Sequence, residues 1–101
     1  MPAINYLVSV SFDIKDGDSE DYRAVYASFE KIGLTRRPKA DNGEKVLLPT
    51  TMALGEFEAT DSATIRDLIT EKCVAVFKAD NLNGELFVST GEDWARIRSI
   101  I

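Results

Sequence analysis

Histidine is absent from all 101 residues. That removes the commonest general base, every histidine-containing catalytic triad and nearly all histidine-based zinc sites, so acid–base or metal chemistry falls to carboxylates. Cysteine occurs once, at Cys73, which excludes an intrachain disulfide. With no imidazole to activate it, that thiol reads as a small apolar side chain on a packed helix rather than a nucleophile. No apolar run approaches the roughly 18 residues of a membrane helix, and Met1-Pro2-Ala3 lacks the basic-then-apolar start of a signal peptide. The expectation is a cytoplasmic protein with no membrane partner. Basic charge is also in deficit, with 12 Lys and Arg against 17 Asp and Glu and a net charge of −5. The molecule as a whole repels phosphate backbones, and nucleic acid can engage it only at a local basic patch. No phosphate-cradling glycine loop, metal-ligand cysteine pair, internal repeat or low-complexity segment is present.

What remains is the composition of one soluble globular domain spanning 1–101, with 45% hydrophobic and 29% charged residues. Apolar side chains alternate at Ile4, Tyr6, Val8, Val10 and Phe12, with Asn5, Ser9, Ser11 and Asp13 between them, which predicts a strand with one buried face. The turn cluster Asp16-Gly17-Asp18-Ser19 ends in a good N-cap, and Tyr22, Val25, Tyr26, Phe29 and Ile32 recur at helical spacing over about 20–32. Gly33 supplies the left-handed residue that stops this helix. Next, 34–38 and 44–48 flank the turn signal Asn42-Gly43 and predict an edge strand broken by a loop or a hairpin, with Pro38 and Pro49 suited to an edge. From Thr50 to Ala59 a third strand sets Ala53, Gly55 and Phe57 on one face and Met52, Leu54, Glu56 and Glu58 on the other. Gly55 there leaves room for a helix to pack closely.

Asp61 caps a second helix whose apolar stripe is Ile65, Leu68, Ile69, Cys73, Val76 and Phe77, running to Lys78 or Ala79. After the loop 80–84, a fourth strand covers 85–90, with Leu86 and Val88 facing away from Phe87. The tail 92–101 carries Trp94, Ile97, Ile100 and Ile101, which fits a short amphipathic helix or an extra strand at a sheet edge. The order is therefore β-α-β-β-α-β plus a C-terminal tail, an α+β, ferredoxin-like sandwich with a four-stranded antiparallel sheet and two helices on one face. In that arrangement the other face of the sheet is open. Leu7, Ser9, Ser11 and Asp13 look out from it with Met52, Leu54 and Phe87, a half-apolar surface that asks for a partner subunit.

Asp13 breaks a serine-rich face where the first strand ends, and helix capping does not explain it. A carboxylate so placed is a natural oxygen ligand for Mg²⁺, and a two-fold dimer through this face brings two copies of Asp13 together. Asp16, Asp18, Glu20 and Asp21 read as solvated turn residues and favourable charges at a helix N-terminus. Their spacing excludes an EF-hand, because Phe12 and Ile14 fall where the first two ligands belong. Lys31, Arg36, Arg37, Lys39 and Lys45 form the one basic concentration, suited to holding phosphates locally or to solubilising an edge strand. Trp94 reads as a packing anchor or a dimer contact.

The segment Tyr6-Leu7-Val8-Ser9-Val10-Ser11-Phe12-Asp13-Ile14, a polar loop, and a helix ending Phe29-Glu30-Lys31-Ile32-Gly33-Leu34 resembles the CRISPR-associated small subunit of the spacer-integration complex and its relatives. Ile65-Arg66-Asp67-Leu68-Ile69-Thr70-Glu71-Lys72-Cys73 and the pair Thr50-Thr51 are similar to GhoS-type antitoxins, which share that fold and cleave the messenger RNA of a toxin. The resemblance implies ferredoxin-like homodimers. It implies for Asp13 a role in binding a divalent metal in the members reported as endonucleases, whereas other members act as structural bridges. The chain departs from the integration subunit at Thr35-Arg36-Arg37-Pro38, where that family carries basic and aromatic residues. The expected function is Mg²⁺-dependent RNA cleavage by a homodimer in which Asp13 ligates metal or polarises water and Ser11 assists through a hydrogen bond. Arg36, Arg37 and Lys39 would hold the RNA backbone, and Leu7, Ser9 and Trp94 would form the dimer interface. The alternatives are a non-enzymatic module binding a second copy or a toxin-like protein, and a ferredoxin-like small-ligand sensor.

Overall fold

The computed structural model describes residues 3–38, 45 and 51–92. Over these the chain runs β1 (Ile4–Ile14), α1 (Ser19–Ile32), β2 (Met52–Ala59), α2 (Ser62–Ala79) and β3 (Gly84–Gly91). It is an α+β fold with a three-stranded antiparallel sheet in the order β2-β1-β3 and two helices. Of the four predicted strands, the second is represented among the described residues by bridge positions at Thr35 and Lys45. Thr35 pairs antiparallel with Leu54, each backbone N–H donating to the other's carbonyl at 2.7 and 2.8 Å. The Asn42-Gly43 turn and the tail from Asp93 onward lie outside the described residues.

The alternation in β1 sorts its side chains as predicted from Tyr6 onward, while Ile4, at the start of the strand, is exposed. Tyr6, Val8, Val10, Phe12 and Ile14 are buried, and Asn5, Ser11 and Asp13 are exposed on the opposite face. Phe12 is the hub of the core, with ring centroids 5.9 Å from Tyr22, 5.3 Å from Tyr26, 5.2 Å from Phe29 and 6.2 Å from Phe77. Three of these pairs are edge-to-face, the arrangement the ring quadrupole favours. In α1 the predicted stripe packs inward, Val25 and Phe29 being buried and Tyr22, Tyr26 and Ile32 partly so.

The cap of α1 differs from expectation by one residue. Asp18, not Ser19, is the N-cap, because its carboxylate accepts from Asp21 N–H at 2.9 Å while Asp21 Oδ2 accepts from Asp18 N–H at 3.1 Å. This reciprocal box satisfies two orphan donors at once, which a serine hydroxyl alone does not. At the other end Gly33 takes φ 105°, and Leu34 N–H donates to the Phe29 carbonyl at 3.0 Å, so the fully buried Leu34 turns directly into the core.

Asp61 caps α2 as predicted, accepting from Thr64 N–H at 2.8 Å, and these hydrogen bonds hold its carboxyl below the usual range. The buried stripe of α2 is narrower than the sequence pattern suggests. Ile65, Ile69, Cys73 and Phe77 repeat every four residues and are buried, while Leu68 is 44% exposed. A helix seated on a sheet buries one i, i+4 row, and Leu68 falls to its side. Each buried aliphatic or aromatic side chain contributes about 1.5–3 kcal/mol of transfer free energy. Gly55 also corrects an expectation. The atoms nearest a side chain placed there are the Gly33 carbonyl oxygen and the Phe57 ring, so the glycine admits the turn that ends α1 rather than the body of a helix.

Candidate functional site

Register assembles the open face row by row. Leu7 stands between Glu56 and Gly91, Ser9 between Leu54 and Ser89, Ser11 between Met52 and Phe87, and Asp13 opposite Glu85 on β3. Ser11, Asp13, Glu85 and Phe87 are exposed; with Phe12 and Leu86 they line an open groove of about 580 Å³ at one end of this face. Leu7 and Ser9, expected at a dimer interface, lie half-buried toward the other end. Glu85 is the residue sequence reasoning missed. Opposed residues on one face of an antiparallel pair have Cβ atoms about 4.5–5.5 Å apart, so the structure sets two carboxylates side by side where the sequence separates them widely.

Asp13 is also tied to α1. The Tyr22 hydroxyl donates to Asp13 Oδ1 at 2.9 Å and accepts from Ile14 N–H at 3.1 Å. The need for this arises because β2 pairs with β1 only as far as Ser11, after which Phe12 N–H donates to the Thr51 carbonyl at 3.0 Å. Ile14 N–H lies past that point, and the phenol one turn into α1 takes it. Tyr26, one turn further on, does the same for β2, its hydroxyl accepting from Met52 N–H at 3.2 Å. Thr51 itself sits at φ 64°, a left-handed conformation that a β-branched residue rarely adopts. The end of the sheet that carries Ser11 and Asp13 is thus pinned by two tyrosine hydroxyls and a strained turn.

The basic residues occupy a different place. Arg36 is partly buried, with its guanidinium carbon 4.5 Å from the centroid of the Tyr26 ring and its Nε buried without a hydrogen-bond partner among the described residues. That is a stacking cation, worth about 0.5–2 kcal/mol according to its desolvation. Arg37 is exposed, its N–H donating to Thr35 Oγ1 at 3.0 Å. Together with Lys45, Thr35, Leu54 and Glu56 it lines a second groove of about 380 Å³ along the outer side of β2. Lys39 and Trp94 lie outside the described residues.

Asp13 and Glu85 offer a cation two carboxylates, with Asp13 Oδ1 already taken by Tyr22 so that Oδ2 is left to coordinate. Mg²⁺ commonly binds through one or two carboxylates, completing its octahedron with waters and substrate phosphate, so this donor set fits that ion. Among the described residues no group of three or more His, Cys, Asp or Glu side chains clusters as a closed metal cage. Cys73 is fully buried, and burial pushes its thiol up to about 12, which leaves it inert. No helix among the described residues is long and apolar enough to cross a membrane. No known protein family, curated protein or solved structure matches the chain.

Proposed function

We propose that this protein is a small ferredoxin-like homodimer that cleaves RNA with a divalent cation in the cytoplasm, in keeping with its resemblance to CRISPR-associated small subunits and GhoS-type antitoxins. The observation that carries the reading is the Asp13–Glu85 pair, opposed across β1 and β3 in an open groove beside Ser11. Like charges placed opposite one another destabilise a sheet, and a cation turns that cost into a binding site. The order β2-β1-β3, with Thr35 bridged antiparallel to the outer edge of β2, is what a ferredoxin-like sheet requires if Thr35 opens its remaining strand.

In this reading Asp13 Oδ2 and the Glu85 carboxylate would hold Mg²⁺, which would supply charge to offset a phosphate and to make an attacking water more acidic. Tyr22 holds the Asp13 carboxylate in one orientation through its 2.9 Å hydrogen bond. Ser11, one row along the same face, donates to a phosphate oxygen, and Arg37 binds backbone phosphate at the β2 side. Leu7 and Ser9, at the far end of the face, meet their copies in the second subunit.

The test is incubation of the purified protein with a mixed structured and single-stranded RNA pool in Mg²⁺, Mn²⁺ or EDTA, with Asp13→Asn and Glu85→Gln alongside. Asparagine keeps an oxygen for Tyr22, so the fold survives the first change. Cleavage that disappears in EDTA and in both variants is the expected result. Absent cleavage, or equal cleavage by all three proteins, refutes the mechanism and leaves the non-enzymatic interaction module.

A further inference from the structure

Phe87 is 68% exposed, against 44% for Leu68, 38% for Ile4 and 36% for Val74, the other exposed large hydrophobics among the described residues. It stands on the open face directly opposite Ser11, one alternation along β3 from Glu85, and lines the same groove as Asp13. Its surroundings on that face are polar: Ser11 across the sheet, Ser89 and Glu85 on its own strand, and Asp13 diagonally. A lone ring in a polar frame suits a ligand that is flat, apolar on its faces and polar at its edge. A protein surface would cover the ring with apolar side chains and leave those four polar groups to be desolvated without partners.

The geometry points to Phe87 as a stacking platform for one unpaired base of single-stranded RNA, next to the carboxylate pair; this rests on RNA being the substrate and names its class. Aromatic side chains stack any base because every base presents a π-face, whereas the faces of a base in a duplex are already occupied by its neighbours. The charges fit the same path. From Phe87 the sheet passes through β1 and β2 to the groove of Arg37 and Lys45, three strand positions or roughly 14 Å across the strands and roughly 7–13 Å along them at the usual spacings. A strand laid across the sheet therefore has a base on the ring, its adjoining phosphate at the carboxylate-held cation and later phosphates at the cationic edge.

Binding of a short fluorescent single-stranded RNA in Ca²⁺, which fills an oxygen-ligand site without the octahedral geometry of Mg²⁺, tests this with a cation between the carboxylates and the phosphate, and a gel of the recovered RNA shows that the probe stayed intact. Phe87→Leu, which keeps an apolar side chain but no ring, should weaken binding roughly five- to hundredfold, while Phe87→Trp should stay near wild type. The same sequence as a duplex should show no dependence on residue 87. Light scattering on the variants should return the wild-type mass. Binding that is indifferent to Phe87→Leu overturns this proposal alone and leaves the RNA reading standing. No RNA binding by wild type overturns both, and a change of mass in Phe87→Leu with RNA binding intact overturns this one by assigning the ring to a subunit contact.

Discussion

Replacing Tyr22 by Phe removes one oxygen and leaves the ring in place, with its centroid contact to Phe12 at 5.9 Å. Two hydrogen bonds go with that oxygen. The bond to Asp13 is exposed, and the freed carboxylate returns to water at little cost. The bond from Ile14 N–H is part-buried, Ile14 being 3% exposed, and β2 no longer runs alongside to supply another acceptor. A buried donor left unsatisfied costs about 1–3 kcal/mol. Partial access of water to the end of the strand brings the expected loss to about 1–2 kcal/mol. For a domain of this size that lowers the melting temperature by roughly 4–16 °C. Urea denaturation followed by far-UV circular dichroism measures the loss directly, and an unchanged m-value confirms that the native state is otherwise intact. Asp13→Asn is the control, since its amide oxygen still accepts from the phenol. A Tyr22→Phe protein within about 0.3 kcal/mol of wild type, well below one ordinary hydrogen bond, would show that the hydroxyl is not what secures the end of β1.

Cys73 should resist a water-soluble thiol reagent in the folded protein at mildly alkaline pH and react fully in denaturant, because burial keeps the thiol protonated well above that range; rapid labelling of the native state would contradict its place on the buried face of α2. Gly55→Ala should destabilise the fold by about 1–3 kcal/mol, since its methyl group would meet the Gly33 carbonyl and the Phe57 ring. A denaturation midpoint equal to wild type would show that β2 and the end of α1 are less tightly apposed than described.

Periodicity made much of the fold legible. Alternation at Ile4 to Phe12 and the helical recurrence of Tyr22, Val25, Tyr26, Phe29 and Ile32 report burial of one face, and that pressure acts on each element wherever its neighbours lie. Gly33 was legible for a local reason too, because a helix ending in a left-handed residue favours glycine irrespective of the surrounding fold. Leu68 was not, because apolarity marks a helix face only to within a residue or so, and the sheet buries a single row.

The candidate site was half legible. Asp13 stood out as a charge on a serine-rich face, but Tyr22 read only as part of an apolar stripe, and its hydroxyl has a task only because β2 stops short of Ile14. Arg36 read as a surface cation, yet it lies on the Tyr26 ring. Glu85 gave no signal of its own in the sequence, whereas alternation along the last strand already set Phe87 on the open face. Their positions opposite Asp13 and Ser11 follow from the register of β1 against β3, and one known contact between those strands places all the others.

The sequence by itself marked β1, α1, β2, α2 and β3 to within a few residues, gave the buried face of β1 and of both helices, and left acid–base or metal chemistry to carboxylates. Only the tertiary structure decided which carboxylates meet, which backbone groups the tyrosine hydroxyls satisfy, and which polar groups frame the Phe87 ring. Burial patterns are written in local spacing, whereas register and the ends of strands are settled by contacts between segments far apart in the chain.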